Sequence, residues 1–282
     1  MPLSTSQAPF TLRDGENLAI YDWPLHPSVR PRGVVLIVHG LGEHAWRYDH
    51  VARRLNGWGF QVRAYDQRGH GESGGARGVL PTDHALLADL AEVVDDTREH
   101  CCNPWACRLV LLGHSLGGLV AARFVAGRLR PVESLVLSSP ALDAGMNAWQ
   151  RGLIRVLYRL APQLTVGNGL DASRLSHDAR VVRGYLADPR VHDRISARLA
   201  RFIEREGAAT LAAAPGWDTP TLLMYAGADT LVDPAGSRRF AAAAPESRVS
   251  ARCFELLWHE LFNEADPEPV FETLKHWLDQ GF

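Results

Sequence analysis

Lysine is almost missing from this 282-residue chain: Lys275 is the only one, and the other basic residues are all arginine. That bias reads as a mark of a GC-rich coding sequence rather than of anion binding. No run of one charge occurs, and the formal net charge is only -2, so a nucleic-acid footprint is not expected. No apolar run is long enough to span a membrane. The opening stretch MPLSTSQAPFTLRDGEN lacks a basic segment followed by an apolar one, so no signal peptide is expected and the expected compartment is the cytoplasm. Cysteine is scarce: Cys101, Cys102, Cys107 and Cys253. Without export they form no disulfide framework, and CCNPWAC matches no common zinc spacing. Internal repeats and low-complexity segments are absent.

What is present is an alternation of strand and helix patterns. Asp14-Gly15 between two extended runs predicts a hairpin. GVVLIVHG (33–40) is a continuous aliphatic run, as in a strand buried on both faces. A helical pattern at 46–59 stops at Gly57 and Gly59. Further strands are predicted at 60–65, in RLVLLGHS, at 132–140, 219–229 and 247–256, with helices at 85–100 and from Ser115 onward and a last helix closing the chain. Such alternation predicts an α/β fold with a mostly parallel, doubly wound sheet, whose ligands sit at the carboxyl ends of the strands. Residues 141–216 break the rhythm with helical segments only. The expected organisation is therefore a core in two parts, 1–140 and 217–282, with a helical insertion between them.

One serine stands at the end of a strand. Gly113-His114-Ser115-Leu116-Gly117 between strand and helix is the G-x-S-x-G elbow, a turn sharp enough to strain the serine backbone and expose its Oγ. The alternative is a serine that merely caps the helix. A serine nucleophile needs a base and an acid, in the chain order Ser, Asp, His on this fold. Asp229 in MYAGADTLVDP and His259 in ELLWHELFNE fill those places. Asp233 and Asp143 are rivals, but Asp229 lies closer to its strand end, and Asp233 suits the cap of a helix starting near Pro234. His114 is expected to point away from the site as a packed histidine. Oxyanion donors are expected from the N–H groups of Leu116 and Leu41, the latter in HGLGEH. His39, His44 and His70 lie in strand-end loops without metal-ligand spacing; neither metal nor cofactor is expected.

HGLGEHAWRY, YDQRGHGESGG, GHSLGG, AGADTLVD and HELFNE together resemble the bacterial monoacylglycerol lipase and lysophospholipase branch of the α/β-hydrolases, of the serine aminopeptidase S33 type. The resemblance runs from about residue 10 to the end and departs at Arg190, where the family often has leucine. It implies an α/β-hydrolase fold with a helical lid, and a serine carboxylester hydrolase acting on a monoacylglycerol or similar single-chain lipid. It places the same roles on Ser115, Asp229, His259, Leu41 and Leu116. Lysophospholipase or short-chain and aryl esterase activity is the alternative on the same residues. An aminopeptidase would need lid carboxylates, among Asp171, Asp178, Asp188, Asp193, Glu204 and Glu206, to hold the substrate amine. A non-catalytic binding scaffold would not need all three triad residues. In AWQRGLIRVLYRLAPQL an apolar stripe of Trp149, Leu153, Ile154, Val156, Leu157 and Leu160 fits two uses: contact with a lipid surface or packing on the main domain.

Overall fold

The computed structural model describes residues 5–282; the first four residues of the opening stretch lie outside the described residues. In chain order the elements are β1 (Ser6–Thr11), β2 (Asn17–Trp23), β3 (Gly33–Val38), α1 (Asp49–Gly57), β4 (Phe60–Tyr65), α2 (Ala85–Thr97), β5 (Arg108–His114), α3 (Ser115–Ala126), β6 (Ser134–Ser138), α4 (Ala148–Leu160), β7 (Thr165–Gly167), α5 (Ala179–Ala187), β8 (Arg194–Ser196), α6 (Ala197–Ala213), β9 (Thr221–Ala226), α7 (Pro234–Ala243), β10 (Val249–Phe254) and α8 (Glu268–Gly281).

Eight strands form one sheet in the order β1-β2-β4-β3-β5-β6-β9-β10. β1 and β2 pair antiparallel, as do β2 and β4. Every other pair is parallel, so the expected mostly parallel sheet is what forms. Strands β3 and β5 are aliphatic at nearly every position because both faces are covered. Val34, Leu36, Leu109 and Leu111 face one side, with α2 and α3. Val35, Ile37, Val110 and Leu112 face the other, with α1 and α8. Period-two alternation of a strand thus feeds two separate cores.

Register decides which loops share one edge of the sheet. Val38 of β3 pairs with Tyr65 of β4 and with Gly113 of β5, and His114 pairs with Ser138. These strands therefore finish level, and the loops after β3, β4, β5, β9 and β10 open on the same side of the sheet. Each carries one of the motifs singled out in the sequence.

The sheet takes no strand from the stretch between β6 and β9, which holds α4, α5, α6 and the short antiparallel pair β7–β8. Three-residue strands are too short to leave a periodic signal, and the sequence does not reveal them. Two helix boundaries also differ from expectation. The 46–59 pattern begins as a 3₁₀ turn, Ala45–Tyr48. The 85–100 pattern leaves α-helical geometry at Arg98 and becomes a π turn through Cys102. Pro104, which has no N–H to donate, follows in a 3₁₀ turn.

Candidate active site

Ser115 has φ of +52°, the left-handed region that a side chain occupies only under strain. The strain is held by packing on both sides. A Cβ on Gly117 would lie 2.1 Å from the Val38 carbonyl oxygen, and one on Gly113 would lie 2.5 Å from that of Gly117. Only glycine lets the first turn of α3 sit this close to the end of β3.

His259 and Asp229 meet as the sequence predicts. His259 Nδ1 lies 2.7 Å from Asp229 Oδ2. The other carboxylate oxygen, Oδ1, accepts from the N–H groups of Leu231 (2.9 Å) and Val232 (3.0 Å), so the aspartate cannot swing away. Burial alone would depress the His259 pKa; the Asp229 carboxylate, backed by Glu260 and Glu43, outweighs burial and raises it. Burial likewise opposes ionisation of Asp229, but His259 and the two N–H donors hold its pKa below the usual range. The rivals are occupied elsewhere. Asp233 caps α7 by accepting from Ala235 N–H at 2.8 Å, and Asp143 pairs with Arg239.

Ser115, His259 and Leu41 line one pocket of about 20 Å³, room for about one water molecule. No direct hydrogen bond joins Ser115 and His259 among the described residues; such contacts often tighten only around substrate. Leu116 stands in the first turn of α3, where an N–H has no partner within the helix. Leu41 N–H makes no hydrogen bond among the described residues. His114 departs from expectation: its ring packs against His259 with centroids 4.7 Å apart. Its Nδ1 donates to the Ser138 carbonyl at 3.1 Å. Burial, with His259 beside it, pushes its pKa down to about 4, so it supports the His259 ring as a neutral wall.

Sequence reasoning missed an ionic clamp behind the pocket. Arg47 donates to Glu43 Oε2 at 2.5 Å and to both oxygens of Glu260, at 2.6 and 2.7 Å. Glu43 Oε1 in turn accepts from Gly40 N–H at 2.6 Å and from Tyr48 Oη at 2.7 Å. One guanidinium thus fixes the loop that carries Leu41 to the loop that carries His259. Burial opposes charge on both carboxylates, yet Arg47 holds both below the usual carboxylate range. Arg47 also stacks on the Tyr185 ring at 4.9 Å. The fourth-residue spacing from Glu43 to Arg47 was a legible helix-type pair; Glu260, more than two hundred residues away, was not.

The segment between β6 and β9 closes over this edge through backbone bonds. Glu260 N–H donates to the Leu175 carbonyl and His192 N–H to that of Gly42, each at 2.9 Å. Ser176 Oγ donates to the Asn263 carbonyl at 2.8 Å, and His177 stacks on Trp258. His44 Nε2 reaches Asp188 at 3.0 Å, and Arg190 pairs with that same aspartate.

Two measurements check this geometry. NMR titration of His259 should give a midpoint above the ordinary 6.5. In Asp229→Asn burial outweighs the weaker pull of Glu260 and Glu43, so the midpoint falls below 6.5; an unchanged midpoint removes the pairing. Arg47→Met strands two buried carboxylates and should cost about 3–5 kcal/mol in urea unfolding at pH 7. Adding Glu43→Gln and Glu260→Gln should recover most of that loss.

A family model described as serine aminopeptidase, S33, matches residues 29–266. The chain is 36% identical over 271 residues to a monoacylglycerol lipase of Mycolicibacterium smegmatis, covering 92% of each chain. It is 30% identical over 275 residues to the monoglyceride lipase of Homo sapiens, covering 95% of this chain and 88% of that one. A crystal structure of the Paleococcus ferrophilus monoacylglycerol lipase matches with a TM-score of 0.80 and 31% identity over 98% of both chains. With the strained serine, the level strand ends and these likenesses in view, the chain belongs to the serine aminopeptidase S33 family and has the α/β-hydrolase fold.

Proposed function

We propose that this protein is a serine carboxylester hydrolase that releases a fatty acid from a monoacylglycerol or a similar single-chain lipid. The observation that carries the reading is the strained Ser115 sharing one pocket with His259, which is itself paired to Asp229. Ser115 Oγ attacks the ester carbonyl as His259 Nε2 takes its proton. The tetrahedral oxyanion falls to the N–H groups of Leu41 and Leu116. His259 then gives the proton to the departing glycerol oxygen, leaving an acyl-serine, and a water activated by the same histidine completes hydrolysis. Asp229 keeps the proton on Nδ1 and stabilises the imidazolium.

The carboxylates favour an ester over a peptide substrate. Glu43 and Glu260, the two that line the Ser115 pocket, are both spent on Arg47. Glu204, Glu206, Asp188 and Asp193 are paired with arginines, and Asp171 and Asp178 cap helices. None is free beside the serine to hold a substrate amine. The lipid assignment is further supported by the named activities of the relatives.

In this reading residues 141–216 form a lid, the rest of the chain is the core in two parts, and the enzyme works in the cytoplasm. A pocket of about 20 Å³ admits no acyl chain, so the lid must shift for turnover. Among the described residues no helix is long and apolar enough to cross a membrane. The stripe of α4 divides: Ile154 and Leu157 are half-buried, whereas Trp149 is 74% and Leu160 79% exposed, with Leu153 and Val156 beside them. An outward face of this size fits transient contact with a lipid surface.

The first experiment compares hydrolysis of a long-chain monoacylglycerol, a lysophospholipid, short- and long-chain p-nitrophenyl esters and a prolyl anilide. The monoacylglycerol should give the highest kcat/KM, the anilide none. Ser115→Ala should be inactive, and Asp229→Asn should lose roughly 10⁴ in kcat. Preference for short esters alone would keep the ester chemistry and remove the lipid assignment. For the surface contact, Trp149→Ser with Leu160→Ser should slow hydrolysis of monoacylglycerol in vesicles while leaving a soluble short-chain ester unaffected; equal effects on both would rule the contact out.

A further inference from the structure

A second, solvent-open cavity lies beside the helical segment, away from the serine. It measures about 440 Å³, lies between α4, α6 and α7, and shares no lining residue with the Ser115 pocket. Its walls carry Arg151, Arg155, Arg201, Arg205 and Arg239 against only two carboxylates, Asp143 and Glu204. Arg205 is paired with Glu206 and Asp83. Glu204 is shared by Arg155 at 3.1 Å and Arg201 at 2.6 Å, and Asp143 serves Arg239. Arg151 makes no ion pair and no side-chain hydrogen bond among the described residues. Four guanidinium groups therefore face two carboxylates, and most of their N–H donors are unspent.

The sequence around Arg151 also breaks a local rule. α4 has no acidic residue in its first turn, where the helix dipole favours negative charge, and Arg151 stands just inside that end. A local conflict of this kind is expected where function overrides stability.

We propose that this cavity binds a phosphate group carried by a water-soluble organic molecule. A phosphate dianion balances the surplus of two positive charges. Guanidinium groups reach it from three helices, two from α4 and one each from α6 and α7, and arginine forks suit phosphate oxygens. Leu142, Met146 and Leu211 on the same walls offer apolar surface to the organic part. Helix phase excludes a membrane headgroup. At about 100° per residue, Trp149, Leu153, Val156 and Leu160 share one face of α4, and Arg151 and Arg155 lie on the opposite side. A lipid surface touching the apolar face cannot reach the arginines. The bound anion would tie α4 to α7, and so the helical segment to the sheet scaffold. This inference does not depend on the ester chemistry.

The test is binding of inorganic phosphate and phenyl phosphate to the full chain by calorimetry, with sodium chloride at matched ionic strength as reference. Wild type should bind both, phenyl phosphate more tightly. Arg151→Gln with Arg155→Gln leaves Glu204 paired with Arg201 and should weaken binding by about tenfold or more. Arg53→Gln, an exposed arginine on α1 outside the cavity, should bind as wild type and controls for general charge. Phosphate no better than chloride, or a double variant that binds normally, overturns the site and leaves a solvated salt-bridge network. Arginine-dependent capture by phosphatidylglycerol vesicles over phosphatidylcholine, without phosphate binding in solution, overturns the water-soluble ligand.

Discussion

The close approach of α3 to the end of β3 sets every other distance at the active edge. Gly117 packs against the Val38 and His39 carbonyls with no room for a methyl group, and the chain can reach that position only by turning sharply at Ser115. The turn leaves Ser115 in a left-handed conformation and puts the first N–H groups of α3 beside the loop that follows β3. Ser115, the N-terminus of α3 and the loop that carries Leu41 are thus placed by one backbone contact. Parallel register then brings the ends of β9 and β10, with Asp229 and His259, to the same level. This arrangement of side chains follows from strand alignment plus a missing Cβ.

Position alone does not hold the loops still, because loops at a sheet edge have few neighbours. The Glu43–Arg47–Glu260 clamp answers this. It buries three charges, an arrangement that is costly unless its geometry is good and its hydrogen bonds are complete. Here Gly40 N–H and Tyr48 Oη use the remaining Glu43 oxygen, and Asn263 donates to Glu260 at 2.9 Å. The same charges bear on His259 as a negative background, reinforcing what Asp229 does to its pKa. The clamp's structure and the proton affinity of His259 are therefore linked.

Much of this was legible in the sequence, and the reasons are specific. Aliphatic strands ending in glycine announced a doubly wound sheet because burial on both faces leaves no polar position. Ser115, Asp229 and His259 were singled out because each stands within a few residues of a strand end; the structure pairs Asp229 with His259 and sets Ser115 and His259 in one pocket. The Asp233 cap was readable from Pro234. What could not be read was long-range pairing: Glu260 with Arg47, and the contact of His114 with His259. The cavity between α4, α6 and α7 was also hidden, since arginines are spread throughout the chain and only folding decides which are left short of carboxylates.

The seam between the helical segment and the core limits modularity. Glu260 N–H is bonded to the Leu175 carbonyl, and Ser176 and His177 grip Asn263 and Glu264. The segment is therefore fastened to the very turn that carries His259. Grafting a foreign segment between β6 and β9 exchanges more than a cover: it changes the support of His259. A working chimera must transplant residues 257–264 along with the helices, and drift in one half of the seam must be answered in the other.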